Sequence, residues 1–172
     1  MKIQLFALLG LALASPVMAQ SPADLNDLQI AHAAYTADLI DIRYAHLALA
    51  ISKDPTVRAF AETMISDHTA VNVKALALLT KLNLTPEDNF VSQSLNEGAD
   101  KIVANLVTLS GAEFDRAYAA NELAYHEAVN AIVDKDFIPN IENADVKALF
   151  GQASGIFHVH QGDATAMVEA VK

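Results

Sequence analysis

The stretch Asp54-Pro-Thr-Val-Arg-Ala-Phe-Ala-Glu-Thr-Met-Ile-Ser-Asp-His-Thr-Ala-Val-Asn-Val-Lys-Ala-Leu-Ala-Leu-Leu-Thr-Lys-Leu82 decides the fold of this chain. It opens with an N-cap residue followed by proline, which is a common start for an α-helix. From Val57 onward its apolar residues recur on one face at 3.6 residues per turn. The pattern predicts one long amphipathic helix over residues 55–82, with His68 near the centre of its apolar face.

Similar apolar stripes predict helices on both sides of this one. Ser110 and Glu113 have the spacing of a capping box and predict a helix start. A connection over residues 136–143, which contains Pro139, separates the last two helices. The predicted helices span about residues 23–51, 55–82, 90–109, 110–135 and 144–172. Four long stripes with short connections predict an all-α fold: an antiparallel four-helix bundle with an extra short helix, forming a single domain over 20–172.

The N-terminus has the features of a secretory signal peptide over residues 1–19. Lys2 is followed by an uncharged run from Ile3 to Ala14, and Val17-Met-Ala19 supplies the small residues of a cleavage site. A membrane anchor is the alternative, but the apolar run is shorter than the roughly 20 residues that a bilayer requires. We therefore expect cleavage before Gln20, export to the periplasm, and no membrane span in the mature chain.

The composition excludes several classes of function. The chain has 21 acidic and 11 basic residues and a net charge of −10, whereas binding to nucleic acid requires a basic face. It contains no cysteine, which rules out thiolate metal sites and thiol catalysis. There is no G-x-S-x-G motif and no glycine-rich phosphate loop. We therefore expect the protein not to be an enzyme, and the sequence leaves open a homo-oligomer.

The histidines are the chemically distinctive residues. Helical periodicity places His68 and His160 on apolar faces, and His126 at the edge of one. It also places His32 and His46 on the apolar face of the first helix, together with Leu39, while His158 points to solvent. A buried imidazole needs a hydrogen-bond partner, so a purely structural role is one explanation. The other is that imidazoles from several helices bind a transition metal such as Zn, Cu or Fe together with carboxylates.

Axial position along the helices tests the metal hypothesis. If the two hairpins turn near residues 53 and 139, then His68 lies level with Asp38 and Asp41, and His160 lies level with Glu122. His126 is then roughly two helical turns away from the level of His160. This register predicts a central cluster of His68, His160 and Glu122, completed by Asp38 or Asp41.

Several blocks resemble a bacterial family called domain of unknown function 4142. They are Val57-Arg-Ala-Phe-Ala61, Met64-Ile-Ser-Asp-His-Thr69, Leu109-Ser-Gly111, Phe114-Asp-Arg-Ala-Tyr118 and His126. The resemblance implies an exported protein with a ferritin-like four-helix bundle and no established activity. The family's pattern of one histidine per helix maps onto His68, His126 and His160. With Glu122 and Asp41, these make up the predicted metal ligands.

The chain also departs from that pattern and from ferritin-type iron sites. Family members tend to have glutamates in the first helix, where this chain has Asp41 and Arg43. A ferritin-type di-iron site needs Glu-x-x-His on two helices, and no histidine here has a glutamate three residues before it. We therefore expect a non-enzymatic protein that binds a transition metal or small ligand. The alternatives are an envelope stress or interaction protein with structural histidines and, less favoured, an atypical di-metal oxidoreductase.

Overall fold

A computed structural model describes residues 20–172, and this part of the chain is helical with short connections and no β-strand. The helices are α1 (Asp27–Ile51), α2 (Pro55–Leu82), α3 (Phe90–Leu106), α4 (Gly111–Ile132), the short α5 (Ile138–Asn140) and α6 (Ala144–Ala170). A 3₁₀ turn at Pro22–Asp24 precedes α1, and a π-helical turn at Val133–Phe137 continues α4. The all-α prediction is confirmed. The predicted signal peptide, residues 1–19, lies outside the described residues.

Polar caps explain where the long helices begin. The Asp54 side chain accepts hydrogen bonds from the backbone N–H groups of Thr56 and Val57, as the sequence predicted. Asn143 caps α6 in the same way. The capping box predicted at Ser110 is wrong, because the Ser110 side chain accepts no bond from the helix. There α4 begins instead at a glycine with a φ of 55°, a conformation that suits glycine.

The four long helices pack so that each is antiparallel to its neighbours. α1 packs on α2, and α4 packs on α6. Contacts at both ends set α1 against α4: Ser52 hydrogen-bonds Asp115, and the Tyr125 hydroxyl donates to the carbonyl of Ala37. α2 also packs on α6. Since α2 and α4 are each antiparallel to α1, they run in the same direction.

Two parallel helices require a connection that returns along the bundle, and α3 provides it. Asn89, the N-cap of α3, donates to the carbonyl of Gln29 near the start of α1. Farther along, Asp100 accepts from Arg43 at 2.8 Å. α3 therefore runs parallel to α1 and delivers the chain to the start of α4. This is the extra short helix that the sequence predicted.

The predicted apolar faces of α2 and α6 are confirmed, whereas that of α1 is wrong. Leu39 is 45% exposed and His46 is exposed, so neither faces the core. Four of the ten buried residues of α1 are alanines, and the others are Ile30, Thr36, Asp38, Ile40, Asp41 and Tyr44. Because alanine is only weakly apolar and aspartate counts as polar, periodicity selected the opposite side of the helix.

Within residues 20–172, no helix combines the length and the apolar character that crossing a membrane requires.

Candidate metal centre

Four helices contribute polar side chains to one buried cluster in the middle of the bundle. The side chains come from α1 (Asp38, Asp41), α2 (His68), α4 (Glu122, His126) and α6 (His160). All six are at most 5% exposed. The neighbouring core is apolar on both sides along the bundle. Polar side chains buried in apolar surroundings need hydrogen-bond or ionic partners within the cluster, or a bound ion.

The three histidines converge. His68, His126 and His160 each present a ring nitrogen, and these three atoms lie within 4.8 Å of one another. The His68 ring stacks on Phe157 with a centroid separation of 4.9 Å and an interplanar angle of 10°. This packing restricts the orientation of the imidazole. The convergence of the ring nitrogens confirms that His68 and His160 lie close together, as the sequence predicted.

The predicted position of His126 is wrong. His126 is only 3% exposed, so it lies inside the bundle and not at the edge of the helix face. It is also level with His160, and not two turns away, since their ring centroids are 5.7 Å apart. The reason is the connection between α4 and α6, which a π-helical turn and α5 make longer than expected. The midpoint of the α4–α6 hairpin therefore lies at Asn143, the N-cap of α6, and this brings His126 level with His160. The sequence-based estimate placed the turn near Pro139.

Each of the three histidines has one ring nitrogen held by a carboxylate or backbone carbonyl oxygen. His68 Nδ1 lies 2.7 Å from Asp38 Oδ1, and His160 Nε2 lies 3.0 Å from Asp67 Oδ2. His126 Nδ1 lies 2.9 Å from the backbone carbonyl oxygen of Glu122. With carboxylate or carbonyl acceptors at these positions, the N–H of each ring points outward. In His126 and His160 the second nitrogen is then left with its lone pair directed inward, as in metal-bound histidines.

The inward atoms have no hydrogen-bond partner. They are His68 Nε2, His126 Nε2, His160 Nδ1 and both carboxylate oxygens of Asp41. Asp41 Oδ2 lies 2.7 Å from His68 Nε2 and 3.4 Å from His126 Nε2. The 2.7 Å contact joins Asp41 and His68 as an ion pair when His68 is protonated. A cavity of about 10 Å³ borders Asp41, His68 and His126. This is close to the space that one water-sized particle needs.

The protonation of the cluster follows from burial and from these contacts. Burial disfavours a charged His68, but Asp38 and Asp41 outweigh it and raise the pKa of His68 to about 10. Burial lowers the pKa of His126 and of His160, so both are neutral at pH 7. Burial acts on Asp41 too, yet its contacts with His68 leave the pKa of Asp41 lowered. Without a metal, the protonated His68 pairs with both aspartates, and its single positive charge offsets one of their two negative charges.

Glu122 has a different environment. It is fully buried, and neither of its carboxylate oxygens has a hydrogen-bond partner. Burial, followed by the nearby charge of Asp41, raises the pKa of Glu122 well above its usual range. Asp41, Glu122 and His126 form a second group whose ligand atoms lie within 4.8 Å of one another. All five predicted ligands thus lie in one continuous cluster.

The family model described as "Domain of unknown function (DUF4142)" matches residues 12–167. The chain belongs to this family. The match confirms the resemblance noted from the sequence and covers nearly the whole chain. No curated protein and no solved structure matches the chain.

In this member of the DUF4142 family, one residue of the site was not predicted from the sequence. Asp67 holds the outer nitrogen of His160, across the interface between α2 and α6. Its position directly before His68 in a family block was the available signal. Glu62, a carboxylate on the same helix as His68, is exposed and lies outside the cluster. His32 is partly exposed, and its Nδ1 lies 3.7 Å from Asp88, so it does not join the site.

Proposed function

We propose that this protein binds a divalent transition metal in the interior of the bundle, through His68, His126, His160 and Asp41. The single observation that carries the proposal is the orientation of the three imidazoles. Each has one nitrogen held by an outer acceptor, and ligand atoms of the three rings lie within 4.8 Å of one another. Hydrogen bonding does not account for the two unpartnered nitrogens of His126 and His160 beside the His68–Asp41 pair, because each unpaired buried group costs about 1–3 kcal/mol.

Zn²⁺ is the ion that this donor set suits best. Three imidazole nitrogens and one carboxylate oxygen supply four ligands, the usual number in a closed structural zinc site. Cu²⁺ and Fe²⁺ also accept imidazole and carboxylate, and sites for divalent metals generally prefer Cu²⁺ over Zn²⁺ in affinity. Asp38, Asp67 and the carbonyl of Glu122 would then fix the histidine rings from outside. Such outer partners orient the ligands and raise their basicity.

Burial supports a binding role over catalysis. The proposed ligands are at most 5% exposed, and a substrate would have to separate the helices to reach the ion. We further propose that the bundle is ferritin-like. Its support is the connectivity, in which α2 and α4 run in the same direction and one crossover, containing α3, joins them. Export to the periplasm is also proposed, and its support is the signal-peptide pattern of residues 1–19.

Elemental analysis and calorimetry test the metal proposal. Protein purified without chelator should contain zinc or another transition metal, and the metal-free protein should bind one Zn²⁺ per chain in its tightest phase. His160→Gln should weaken that binding by at least about tenfold, since loss of a ligand exceeds the effect of changing an outer partner. His46→Gln, a histidine on the exposed side of α1, is the matched control and should bind normally.

The opposite result has a definite meaning. If the protein contains no metal and gives no heat with Zn²⁺, Cu²⁺ or Fe²⁺ at micromolar concentration, the histidines are structural. In that case His160→Gln lowers thermal stability and changes no ligand binding. That outcome would favour an envelope stress or interaction protein.

A further inference from the structure

We propose that the cluster has a second cation position, formed by Asp41, Glu122 and His126, which takes an oxygen-preferring divalent cation such as Mn²⁺. This inference rests on the proposed metal function, because Asp41 and His126 belong to both positions. When both are filled, His68 and His160 hold the first ion, His126 and Glu122 hold the second, and Asp41 contacts both through its two oxygens.

The environment of the Glu122 carboxylate is the observation that supports a second ion. Glu122 is fully buried on α4, its carboxylate contacts the side chains of Asp41 and Asn121, and neither of its oxygens makes a hydrogen bond of normal geometry. A buried carboxylate of this kind is unfavourable unless it is protonated or bound to a cation. The first proposed ion does not relieve this, because Glu122 is not among the residues whose ligand atoms converge with all three imidazoles. A cation bound between Glu122 and Asp41 would satisfy both carboxylates.

The distances place Glu122 and Asp41 around the same histidine. His126 Nδ1 lies 3.9 Å from Glu122 Oε2, and His126 Nε2 lies 3.4 Å from Asp41 Oδ2. Ligand atoms of the three residues lie within 4.8 Å of one another. Asp41 Oδ2 contacts His68 and His126, whereas Asp41 Oδ1 has no hydrogen-bond partner, so the two oxygens are available to different ions. The buried hydroxyl of Tyr118, one helical turn before Glu122, also has no partner and is available to a water bound to the second ion.

The donor types distinguish the two positions. The first is dominated by imidazole nitrogen, which suits Zn²⁺. The second offers carboxylate oxygens from two residues and one imidazole, and carboxylate ligands suit Mn²⁺. We therefore expect the two positions to differ in preference, with Zn²⁺ bound first and Mn²⁺ bound beside it. Glu127 provides a matched control, because it is an exposed glutamate on the same helix.

The experiment uses the full mature chain loaded with one equivalent of Zn²⁺ and titrated with Mn²⁺. Free Mn²⁺ is measured by its six-line electron paramagnetic resonance signal, and the retained zinc is measured by elemental analysis. We expect one Mn²⁺ bound per chain with the zinc retained. Glu122→Gln should bind Mn²⁺ at least about tenfold more weakly while keeping its zinc, and Glu127→Gln should behave as the wild type.

The possible failures are distinguishable. If wild-type protein binds one Zn²⁺ and no Mn²⁺, the second position is refuted and the proposed function stands. If it binds neither ion, both proposals are refuted. Mn²⁺ affinity unchanged in Glu122→Gln, or Mn²⁺ binding that expels the zinc, would also overturn the second position. The wild-type stoichiometry decides the matter even if Glu122→Gln does not fold.

Discussion

Replacing Asp38 with asparagine tests how much the charge of this partner of His68 contributes to stability. Asp38 Oδ1 lies 2.7 Å from His68 Nδ1, and both side chains are 5% exposed. Asparagine keeps the shape and an oxygen that accepts from the Nδ1–H group, so the substitution removes the charge and leaves the hydrogen bond. A hydrogen bond to a charged group contributes about 1.5–3 kcal/mol and a neutral one about 0.5–1.5 kcal/mol. Burial raises the pKa of Asp38, and relief of this desolvation offsets part of the larger contribution, so the metal-free protein should lose about 1–2 kcal/mol of stability.

Calorimetric melting in the presence of chelator measures this loss. For a domain of this size, 1 kcal/mol corresponds to about 2–4 °C in the melting temperature. We expect Asp38→Asn to melt about 2–8 °C lower than the wild type at pH 6. Asp163→Asn, which replaces an exposed aspartate on α6, should not change the melting temperature.

The pH dependence supplies the sharper test. The pKa of His68 is raised to about 10 in the folded protein, against about 6.5 in an unfolded chain. A raised histidine pKa stabilises the folded state fully below pH 6.5, and this contribution is lost as the pH rises through about 10. The difference between wild type and Asp38→Asn should accordingly shrink from pH 6 toward pH 10. A melting temperature that is unchanged or higher in Asp38→Asn at pH 6 would refute the reasoning, since the buried pair would then give no net stabilisation.

Three further predictions concern the carboxylate, the metal and a helix cap. Without metal, Glu122→Gln should melt at or above the wild-type temperature. Because the pKa of Glu122 is raised in the folded protein, the wild type loses stability as the pH rises above about 4.5. The difference in melting temperature in favour of Glu122→Gln should therefore grow from pH 5 to pH 8. Zn²⁺ at 100 times its dissociation constant should stabilise the protein by about 2.7 kcal/mol, and EDTA should reverse this in calorimetry. Asn143→Ala removes the α6 cap and should cost about 1 kcal/mol in urea unfolding, whereas Asn140→Ala should cost less.

The sequence predicted the helices well because their start signals are local. Asp54 and Asn143 cap the helices that follow them through bonds to residues two and three positions away. Signals of this kind need no knowledge of the rest of the fold. Ser110 shows their limit, because its spacing matches a capping box and its side chain still makes no cap.

The candidate site was predicted by residue type and only partly by position. His68 and Asp41 were placed correctly relative to each other because the connection between α1 and α2 is short and its turn was located well. His126 was misplaced because the π-helical turn and α5 shifted the register of the second hairpin. Asp67 was missed because its role depends on which helix lies opposite it.

The sequence by itself therefore determined the helical class, the positions of most helix ends, and the set of side chains able to bind a metal. Only the tertiary structure decided that three histidines share one centre, that Asp41 faces them, and that Glu122 is buried without a partner. The physical reason is geometric. Periodicity fixes the angle of a side chain about its own helix axis, whereas a metal centre depends on how four helices are rotated and shifted relative to one another. Packing of the whole core sets that rotation and shift, and no single stretch of the chain encodes them.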